Sequence, residues 1–365
     1  MNIVIINCFE TYEDRVELLE RFFIRRGNQV KIITSNFRHF QKTFREETGE
    51  NRIFIKTRPY YKNMSLKRMF SHWCFSCSAE EEVSKHNPDL IYVLIPPNSL
   101  VKRIAGVKKR NPNIKIIFDV IDLWPETMPI PFVKEFFLFK MWKKLRNDYL
   151  KYADYVITEC DLYQQRLKEY LKETRYKTVR LASEKKCMDI QDNTSNEKIA
   201  LCYLGSINNI IDIDIVGEII EKIAMQTKVE LHIIGGGETK EALINIARKK
   251  GAEVFDYGSV YEALEKQRIF NKCDYGLNIL KESVCVGLTM KSIDYFGGGL
   301  PIINNIPGDT WALVEKHQVG VNYEKGQELQ LKHIEKAHVS AFFEERFADK
   351  VFEKNMQAVY DEILG

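Results

Sequence analysis

The sequence of 365 residues is notable first for what it lacks. No run of about 18 apolar residues occurs, so we expect no membrane-spanning helix. The first fifteen residues have neither a basic leader nor a sustained apolar core, and they predict a first β-strand instead of a signal peptide. The eight cysteines are scattered, as is typical of reduced thiols. Cys74 and Cys77 have metal-like spacing, but no second pair completes a zinc site. We therefore expect a cytoplasmic protein without a bound metal.

Two further absences exclude whole classes of protein. No G-x-G-x-x-G follows the first strand of either predicted domain, which disfavours a dehydrogenase. No recognisable nucleic-acid-reading module accompanies the basic residues, so we predict no nucleic-acid partner.

The charge is unevenly distributed along the chain. Residues 1–180 contain 33 Lys and Arg against 22 Asp and Glu, whereas the remaining residues contain 21 against 29. A basic half followed by an acidic half suggests two domains with different partners, the first of which faces an anionic surface.

Short apolar runs alternate with segments of helical periodicity along the whole chain. Most runs are apolar on both faces, which favours parallel strands covered by helices. The alternation occurs in two series, so we predict an α/β protein with two doubly wound domains. The first series of strands is predicted at 2–7, 30–34, 53–56, 90–95, 115–120 and 155–158, and the second at 200–204, 229–234, 253–255, 274–279 and 300–303.

A polar segment without periodicity, 184–197, separates the two series and is interpreted as a linker. We accordingly place an N-terminal domain at 1–183 and a second domain at 198–340. The last segment, 341–365, has the amphipathic periodicity of one long helix.

Polar turns follow the first three predicted strands of the second domain. Glycines there let backbone N–H groups approach an anion, although a βα turn without a ligand explains them equally well. A tyrosine in the third turn could pack beside a nucleobase, and a simple turn is again the alternative. The candidate residues are Gly205, Ser206 and Asn208 in the first turn, Gly235 and Gly237 in the second, and Tyr257, Gly258 and Tyr261 in the third.

Three polar residues stand near the start of a predicted helix at 290–296. Thr289 is interpreted as its N-cap. Lys291 lies in the first turn, where a cation opposes the helix dipole, and this cost suggests an anionic partner such as a pyrophosphate. Asp294 is one turn further on and could accept hydrogen bonds from a ribose diol. The alternative is a surface ion pair between Lys291 and Asp294.

Three motifs resemble those of one enzyme family, the family 4 glycosyltransferases. Residues 289–302, TMKSIDYFGGGLPI, resemble its Ser-x-Lys-x-x-Glu-Tyr-x-x-x-Gly-x-Pro-Val motif. Residues 117–126, IFDVIDLWPE, resemble the Asp-Leu-Trp-Pro-Glu segment of bacterial members that build surface polysaccharides. Residues 27–30, GNQV, are similar to the Gly-His-Glu-Val turn that leads into the second strand.

The resemblance implies the GT-B fold, in which two facing Rossmann-like domains bind the donor nucleotide on the second domain and the acceptor on the first. It also implies that the C-terminal helix crosses back onto the N-terminal domain. The activity implied is a metal-independent, hexosyltransferase-like transfer with retention, from a nucleotide diphosphate sugar that we expect to be a UDP-sugar. The acceptor implied is a saccharide or a polyprenyl-linked saccharide in surface polysaccharide or glycolipid synthesis. No cofactor other than this donor is expected.

Carried over by position, the family motif assigns donor contacts around residue 291. Lys291 would lie near the pyrophosphate and Asp294 would bind the ribose. The backbone of Gly287, Leu288 and Thr289 would lie near the sugar and phosphates.

Several residues of the family pattern are missing from this sequence, among them a histidine that many members have where this chain has Ile121. The first of the family's two glutamates would fall at Val286, and Glu282 lies close enough in sequence to replace it as a catalytic residue. The family's Gly-Arg pair is replaced by Gly205-Ser206, so Lys291 is expected to carry more of the phosphate charge.

Candidate acceptor contacts follow the strand predicted at 115–120. Asp122 is predicted to orient the acceptor hydroxyl or sugar, with a cap of the following loop as the alternative. Asp119 is a second candidate, and Trp124 is a candidate acceptor platform, although a Trp before Pro is more often a packing residue.

Two stretches of the basic half, 58–77 and 131–146, interleave aromatic residues with Lys and Arg. This pattern is typical of helices on an anionic lipid surface and predicts peripheral contact with the inner face of the cell membrane. The alternative is that the aromatic residues are core and the cations merely solvated.

Two other functions remain open. A nucleotide-sugar epimerase of GT-B fold would need acid and base residues at its site, whereas only seven histidines occur and His232 falls inside a predicted strand. A non-catalytic partner subunit of a glycosyltransferase would account for the missing glutamate and arginine.

Overall fold

The computed structural model describes residues 1–39, 41–45, 48–62, 65–128, 137–183, 189–191 and 197–364. The chain divides into two compact units. Unit 1 comprises Met1–Leu181 with Phe352–Gly365, and unit 2 comprises Ala182–Val351. The segment 184–197, interpreted as a linker, lies largely outside the described residues.

Unit 1 contains a sheet of seven parallel strands. They are β1 (Asn2–Asn7), β2 (Gln29–Ser35), β3 (Arg52–Ile55), β4 (Leu90–Ile95), β5 (Lys115–Val120), β6 (Tyr155–Thr158) and β7 (Arg175–Thr178). Their spatial order is β3-β2-β1-β4-β5-β6-β7, so the chain reverses direction across the sheet between β1 and β4, as in doubly wound folds. All six residues of β4 are buried, as expected for a central parallel strand covered on both faces.

Unit 2 repeats this topology with six strands. They are β8 (Lys198–Leu204), β9 (Lys228–Ile234), β10 (Ala252–Asp256), β11 (Tyr275–Asn278), β12 (Ile302–Asn304) and β13 (Gly320–Asn322). The order β10-β9-β8-β11-β12-β13 places the reversal between β8 and β11. The core lies around β8, β9 and β11 and consists mainly of Ile, Leu and Val side chains. The predicted α/β fold with two doubly wound parallel sheets is confirmed.

Helices connect the strands in both units. In unit 1 they are α1 (Glu13–Ile24), α2 (Leu66–Val83), α3 (Asn98–Arg110), α4 (Phe137–Asn147) and α5 (Asp161–Leu167). In unit 2 they are α6 (Ile213–Ala224), α7 (Lys240–Lys249), α8 (Ala263–Phe270), α9 (Met290–Gly297), α10 (Asp309–His317) and α11 (Lys336–Arg346), and α12 (Asp349–Leu364) ends the chain. Among the described residues, no helix has the length and apolar character needed to cross a bilayer.

The C-terminal segment differs from the prediction of one helix over 341–365. Two helices, α11 and α12, are separated at Phe347 and Ala348. Phe347 is fully buried and its ring lies 6.1 Å from that of Phe296, so the chain breaks its helix where this side chain enters the core of unit 2. From Phe352 onward α12 belongs to unit 1, where the Tyr360 hydroxyl accepts a hydrogen bond of 3.0 Å from Asn28 Nδ2.

Candidate functional site

Helix α9 begins at an N-cap that matches the sequence prediction. The hydroxyl oxygen of Thr289 accepts the backbone N–H of Ser292 at 3.2 Å. The same hydroxyl donates to Asn278 Oδ1 at 2.8 Å, at the end of β11. Thr289 therefore satisfies one unpaired donor of the helix and ties the helix to the sheet.

A ladder of three asparagine side chains holds this N-cap in place. The parallel register aligns Asn278, Asn304 and Asn322 at the ends of β11, β12 and β13. Asn278 Nδ2 donates to Asn304 Oδ1 at 2.8 Å, and Asn304 Nδ2 donates to Asn322 Oδ1 at 2.9 Å. Asn322 Nδ2 in turn donates to the carbonyl oxygen of Trp311 at 3.0 Å. Because buried amides cost free energy unless they are bonded, this ladder fixes the three strand ends and Thr289 together.

The two residues before Thr289 are fixed from the other side. The backbone N–H and the hydroxyl of Thr310 both donate to the carbonyl oxygen of Gly287, at 2.8 and 2.7 Å. Gly287 is buried, and Leu288 is only 4% exposed. The segment predicted to lie near the sugar and phosphates is therefore held rigidly, and its role as a donor contact stays a prediction.

Lys291 lies in the first turn of α9 beside an aromatic ring. Its ammonium nitrogen is 4.7 Å from the ring centroid of Tyr203 and 3.5 Å from the Tyr203 hydroxyl oxygen. Among the described residues, no carboxylate oxygen lies within 4.0 Å of this ammonium. Burial lowers the pKa of Lys291 from 10.5 to about 7. The charged form is therefore destabilised, and an anion at this position would restore it.

Tyr203 connects Lys291 to the loop after β8. The Tyr203 hydroxyl donates to the carbonyl oxygen of Ser206 at 3.1 Å while its oxygen accepts from Lys291. Asn208 Oδ1 accepts the backbone N–H of Ile210 at 3.2 Å, so this side chain stabilises its own turn. The structure therefore brings Ser206 close to Lys291, as the predicted donor site requires.

The two candidate glycines of the second turn are required by the close approach of the first and second loops. Gly235 has φ of +145°, and a Cβ there would lie 2.0 Å from the carbonyl oxygen of Gly205. Gly237 has φ of +152°, and a Cβ there would lie 2.2 Å from the carbonyl oxygen of Ile207. Ile207 N–H donates to the carbonyl oxygen of Gly236 at 2.9 Å. Loop packing thus explains these glycines without a ligand, and a phosphate contact stays a prediction.

The third turn contains one tyrosine that is packed and one that is not. The Tyr257 ring lies nearly parallel to the His232 ring at 5.9 Å, and the Tyr257 hydroxyl is 2.9 Å from His232 Nδ1. The carbonyl oxygen of Gly258 accepts the N–H of Gly235 at 2.6 Å, which joins the third loop to the second. Tyr261 is 92% exposed, so the structure does not place it against the other candidate residues.

The two candidate carboxylates around α9 have different surroundings. Asp294 Oδ2 lies 3.3 Å from the ammonium of Lys266 on α8. The alternative pairing of Asp294 with Lys291 does not form among the described residues. Asp294 keeps 36% of its side chain exposed, which leaves it accessible to a ribose. Glu282 is exposed in the turn after β11, and its predicted catalytic role stays a prediction.

Asp119 forms a buried ion pair with Arg15, so the prediction that it contacts the acceptor is wrong. Arg15 donates to the two carboxylate oxygens at 2.6 and 3.0 Å, and the Tyr92 hydroxyl donates at 2.6 Å. The Asp119 side chain has no exposed surface. A carboxylate buried with three donors can hold Arg15 in the core, but it cannot contact a sugar.

Asp122 occupies the position at the end of β5 that the acceptor hypothesis needs. It is partly exposed, and burial raises the pKa of its carboxyl group. The Thr127 hydroxyl donates to Asp122 Oδ1 at 2.7 Å. This bond is the loop cap proposed as the alternative, and it leaves the acceptor role untested.

Trp124 is mainly a packing residue, contrary to its prediction as an acceptor platform. Its side chain is 7% exposed and packs with Met128 and Trp142. Its carbonyl oxygen accepts hydrogen bonds from Asn98 Nδ2 at 2.8 Å and from Arg146 Nη1 at 3.0 Å. The ring is therefore held edge-on in a cluster and cannot stack flat against a sugar.

The basic, aromatic stretches 58–77 and 131–146 are described except for residues 63–64 and 131–136. Their described parts include residues 66–77 of α2 and residues 137–146 of α4. Several large apolar side chains there are exposed: Tyr61, Leu66, Phe70, Phe137, Leu138 and Met141. The alternative that the aromatic residues are core holds for Tyr60, Phe75 and Trp142, which are buried, and not for the exposed residues. Membrane contact itself stays a prediction.

Metal ligation has no visible support in the part of the chain that the structure describes. No three His, Cys, Asp or Glu side chains come together there in an arrangement that could hold an ion. His232 is buried, its pKa is lowered by burial, and its Nε2 lies 3.2 Å from Glu230 Oε2.

The fold of this chain is similar to that of solved structures with the GT-B fold. A sucrose-phosphate synthase from Thermosynechococcus elongatus aligns with 100% of this chain and 99% of its own, at a TM-score of 0.73 and 12% identity. The lipopolysaccharide outer core galactosyltransferase WaaB in its apo form aligns with 99% of this chain and 100% of its own, at a TM-score of 0.68 and 15% identity.

A third similar structure contains a bound nucleotide. Anabaena HepE in complex with UDP and glucose aligns with 99% of both chains, at a TM-score of 0.66 and 12% identity. No protein-family model matches the chain, and no curated protein sequence matches it either. The predicted GT-B fold is confirmed, and the assignment to family 4 stays a prediction.

Proposed function

We propose that this protein is a metal-independent glycosyltransferase that uses a nucleotide diphosphate sugar, with the donor bound to unit 2 at the N-terminal end of α9. The observation that carries the proposal is the position of Lys291: a partly buried cation over Tyr203, with a lowered pKa and no carboxylate partner among the described residues. A helix N-terminus and an ammonium group together provide a site for a diphosphate. HepE, which has the same fold, binds UDP-glucose, and this supports a UDP-sugar as donor here.

The leaving diphosphate would be stabilised by groups that are already in place. As the bond between the sugar and the diphosphate of the donor breaks, negative charge develops on the phosphate, where the Lys291 ammonium and the N–H groups of α9 can stabilise it. Thr289, the asparagine ladder and Thr310 hold this helix end, so little reorganisation is needed during the reaction. Asp294 would accept hydrogen bonds from the ribose hydroxyls in exchange for part of its contact with Lys266.

The acceptor would bind to unit 1, close to Asp122. In a retaining transfer of the kind that the family resemblance implies, the leaving phosphate accepts the proton of the acceptor hydroxyl. Asp122 then needs only to orient that hydroxyl, and no protein base is required. We take the acceptor to be a saccharide or polyprenyl-linked saccharide at the inner face of the membrane, supported by the exposed apolar and basic residues of α2 and α4.

The donor assignment can be tested by thermal shift with UDP-, GDP- and dTDP-sugars. We expect selective stabilisation by one nucleotide, with a smaller shift in Asp294→Ala and an unchanged shift in Glu241→Ala, an exposed acidic residue of α7. If none of the nucleotide sugars stabilises the protein, the proposed donor site is rejected.

Product analysis separates the proposed activity from its two rivals. With donor alone, a glycosyltransferase slowly releases free sugar and nucleoside diphosphate. An epimerase would instead return an isomeric nucleotide sugar. A non-catalytic partner subunit would leave the donor unchanged even after long incubation. The buried, hydrogen-bonded state of His232 argues against the epimerase, because this histidine cannot reach a substrate.

A further inference from the structure

An apolar cluster lies in unit 2 directly before helix α9, beside the position proposed for the diphosphate. Its buried members are Leu280, Val284 and Ile306, and its partly buried members are Ile210 and Val286. The segment that leads into the helix, 284–288, reads VCVGL, and its one side chain with a heteroatom is a thiol, which forms only weak hydrogen bonds. The approach to the N-terminal end of α9 is therefore apolar on this side.

Hydrogen bonds hold the apolar cluster from both sides. The backbone N–H of Leu280 donates to Asn305 Oδ1 at 2.9 Å, and Asn305 Nδ2 donates back to the Leu280 carbonyl oxygen at 2.8 Å. The N–H of Lys281 donates to the carbonyl oxygen of Ile210 at 2.8 Å. These bonds join the segment after β11 to the end of β12 and to the loop after β8, so the apolar surface is preformed.

The two partly buried members belong to the segments that surround Lys291. Val286 lies three residues before the N-cap Thr289. Ile210 lies in the loop after β8, where the Ser206 carbonyl oxygen accepts the hydroxyl of the tyrosine that Lys291 contacts. Because the sugar of a donor is bonded directly to its diphosphate, a diphosphate at Lys291 would place the sugar beside these two segments.

The accessible side-chain atoms of Val286 and Ile210 are all carbon, so this surface distinguishes between the groups that a sugar can place on it. A sugar hydroxyl placed there would lose its water partners without gaining a hydrogen bond, which is unfavourable. A methyl group in the same place would be removed from water, which is favourable. The surface therefore favours a sugar that has a methyl group on this side.

We propose that the donor sugar carries a methyl group, either at a deoxy position or within an acetamido group, and that Val286 and Ile210 contact this methyl group. The inference rests on the proposed function and specifies the sugar of its donor. The carboxylate of the family pattern, which could accept hydrogen bonds from sugar hydroxyls, is replaced at Val286 by two methyl groups. Val286 is thus a specificity-determining residue of the donor site.

Isothermal titration calorimetry of the full-length protein tests the proposal with four ligands: UDP, UDP-glucose, UDP-6-deoxyglucose and UDP-N-acetylglucosamine. We expect one of the two methyl-bearing sugars to bind at least about tenfold more tightly than UDP-glucose, because only these two place a methyl group on the apolar cluster. Tighter binding of UDP-6-deoxyglucose identifies a deoxy sugar, and tighter binding of UDP-N-acetylglucosamine identifies an acetamido sugar. If the thermal-shift panel selects dTDP or GDP, the same three sugars on that nucleotide replace the UDP series.

Two substitutions of Val286 test the contact itself. Val286→Thr nearly keeps the shape of the side chain and replaces one methyl group by a hydroxyl. It should lower the preference for the methyl-bearing sugar at least about threefold. Val286→Ala shortens the side chain without adding a polar group, and it should lower the same preference about twofold.

Val254→Thr is the matched control. Val254 is a partly buried valine of β10, an edge strand that β9 and β8 separate from β11, so this variant should keep the wild-type preference. Equal affinity of the wild type for the three UDP-sugars, or tightest binding of UDP-glucose, would overturn the proposal. So would a preference that persists undiminished in both Val286 variants.

Binding of UDP keeps this proposal separate from the proposed function, because UDP has no sugar beyond its ribose. UDP should bind the wild type and the three variants alike. A normal UDP affinity without a preference among the sugars rejects the methyl contact alone. Failure of UDP, dTDP and GDP to bind the wild type rejects the proposed function.

Discussion

If the Lys291 ammonium binds the diphosphate, donor binding by the wild type should depend on pH. Replacing Lys291 by arginine should abolish this pH dependence. The pKa of Lys291 in the free protein is lowered to about 7 by burial. Above that pH the free protein carries a neutral amine, and binding of a diphosphate must then take up a proton. Donor affinity should therefore fall as pH rises.

The size of the effect follows from this pKa. The fraction of Lys291 in the neutral form rises from about a quarter at pH 6.5 to about 97% at pH 8.5. If the bound ammonium titrates above this range, the dissociation constant should increase about 25-fold between these two pH values. This increase is a loss of about 1.9 kcal/mol in binding free energy. The two phosphates of a nucleotide sugar are both esterified and do not titrate here. The pKa of His232 is lowered by burial, so its titration falls below this range.

Isothermal titration calorimetry with the selected nucleotide sugar, at several pH values, measures this directly. Lys291→Arg keeps its charge throughout, so its affinity should change less than about twofold. Lys291→Met should bind the nucleotide sugar weakly, and its affinity should likewise not change with pH. Lys228→Arg, an exposed lysine at the start of β9, is the control and should retain the wild-type slope. A wild-type affinity that stays constant from pH 6.5 to 8.5, or an equal slope in Lys291→Arg, would refute the assignment of the diphosphate to Lys291.

Three further predictions concern the residues around the two sites. Asp294→Asn should weaken nucleotide-sugar binding about tenfold by calorimetry, because the charged acceptor for the ribose is lost; an unchanged affinity would remove Asp294 from the donor site. Asn304→Ala should lower the free energy of unfolding in urea by about 2–3 kcal/mol, since it leaves Asn278 Nδ2 and Asn322 Oδ1 unpaired. The control Asn113→Ala, at an exposed residue, should leave the free energy of unfolding almost unchanged. A similar loss in both variants would contradict the role of the ladder in stability. Asp119→Ala should lower the same free energy by about 3–5 kcal/mol, because it leaves the Arg15 guanidinium buried without its carboxylate partner. It should leave nucleotide-sugar affinity unchanged, and a variant that is stable but fails to bind donor would contradict the structural role.

The alternation of strands and helices was predictable from the sequence because it depends on local periodicity. Central strands such as β4 and β9 are long and apolar, and their predicted bounds agree with the structure. The edge strands β7 and β13 were missed, since they have four and three residues and β7 reads RYKT. The break between α11 and α12 was also missed, because it depends on tertiary contacts: the Phe347 side chain packs in the core of unit 2, and the Phe347 carbonyl oxygen accepts the N–H of Ser183.

The candidate site was predictable only where a local rule applies. Thr289 follows from the preference for hydroxyl residues at N-caps. The contact of Lys291 with Tyr203 joins residues 88 positions apart and depends on how α9 lies on β8. Asp119 lies in β5 and Asp122 follows two residues after this strand ends, yet only the structure shows that Asp119 faces Arg15, which lies 104 residues earlier. The asparagine ladder had a visible signal, an Asn at the end of three apolar runs, whose meaning depends on strand register.

The asparagine ladder has a direction. Each amide donates to the next from β11 toward β13, beginning with the Thr289 hydroxyl and ending at the Trp311 carbonyl. Such aligned dipoles polarise one another. Conversion of the middle amide to a carboxylate, as by deamidation of Asn304, would place two acceptors face to face at Asn322 and interrupt the series. The break would fall between β12 and β13, on the side away from Thr289, so Thr289 and Asn278 would keep their hydrogen bonds while Asn322 Oδ1 lost its donor.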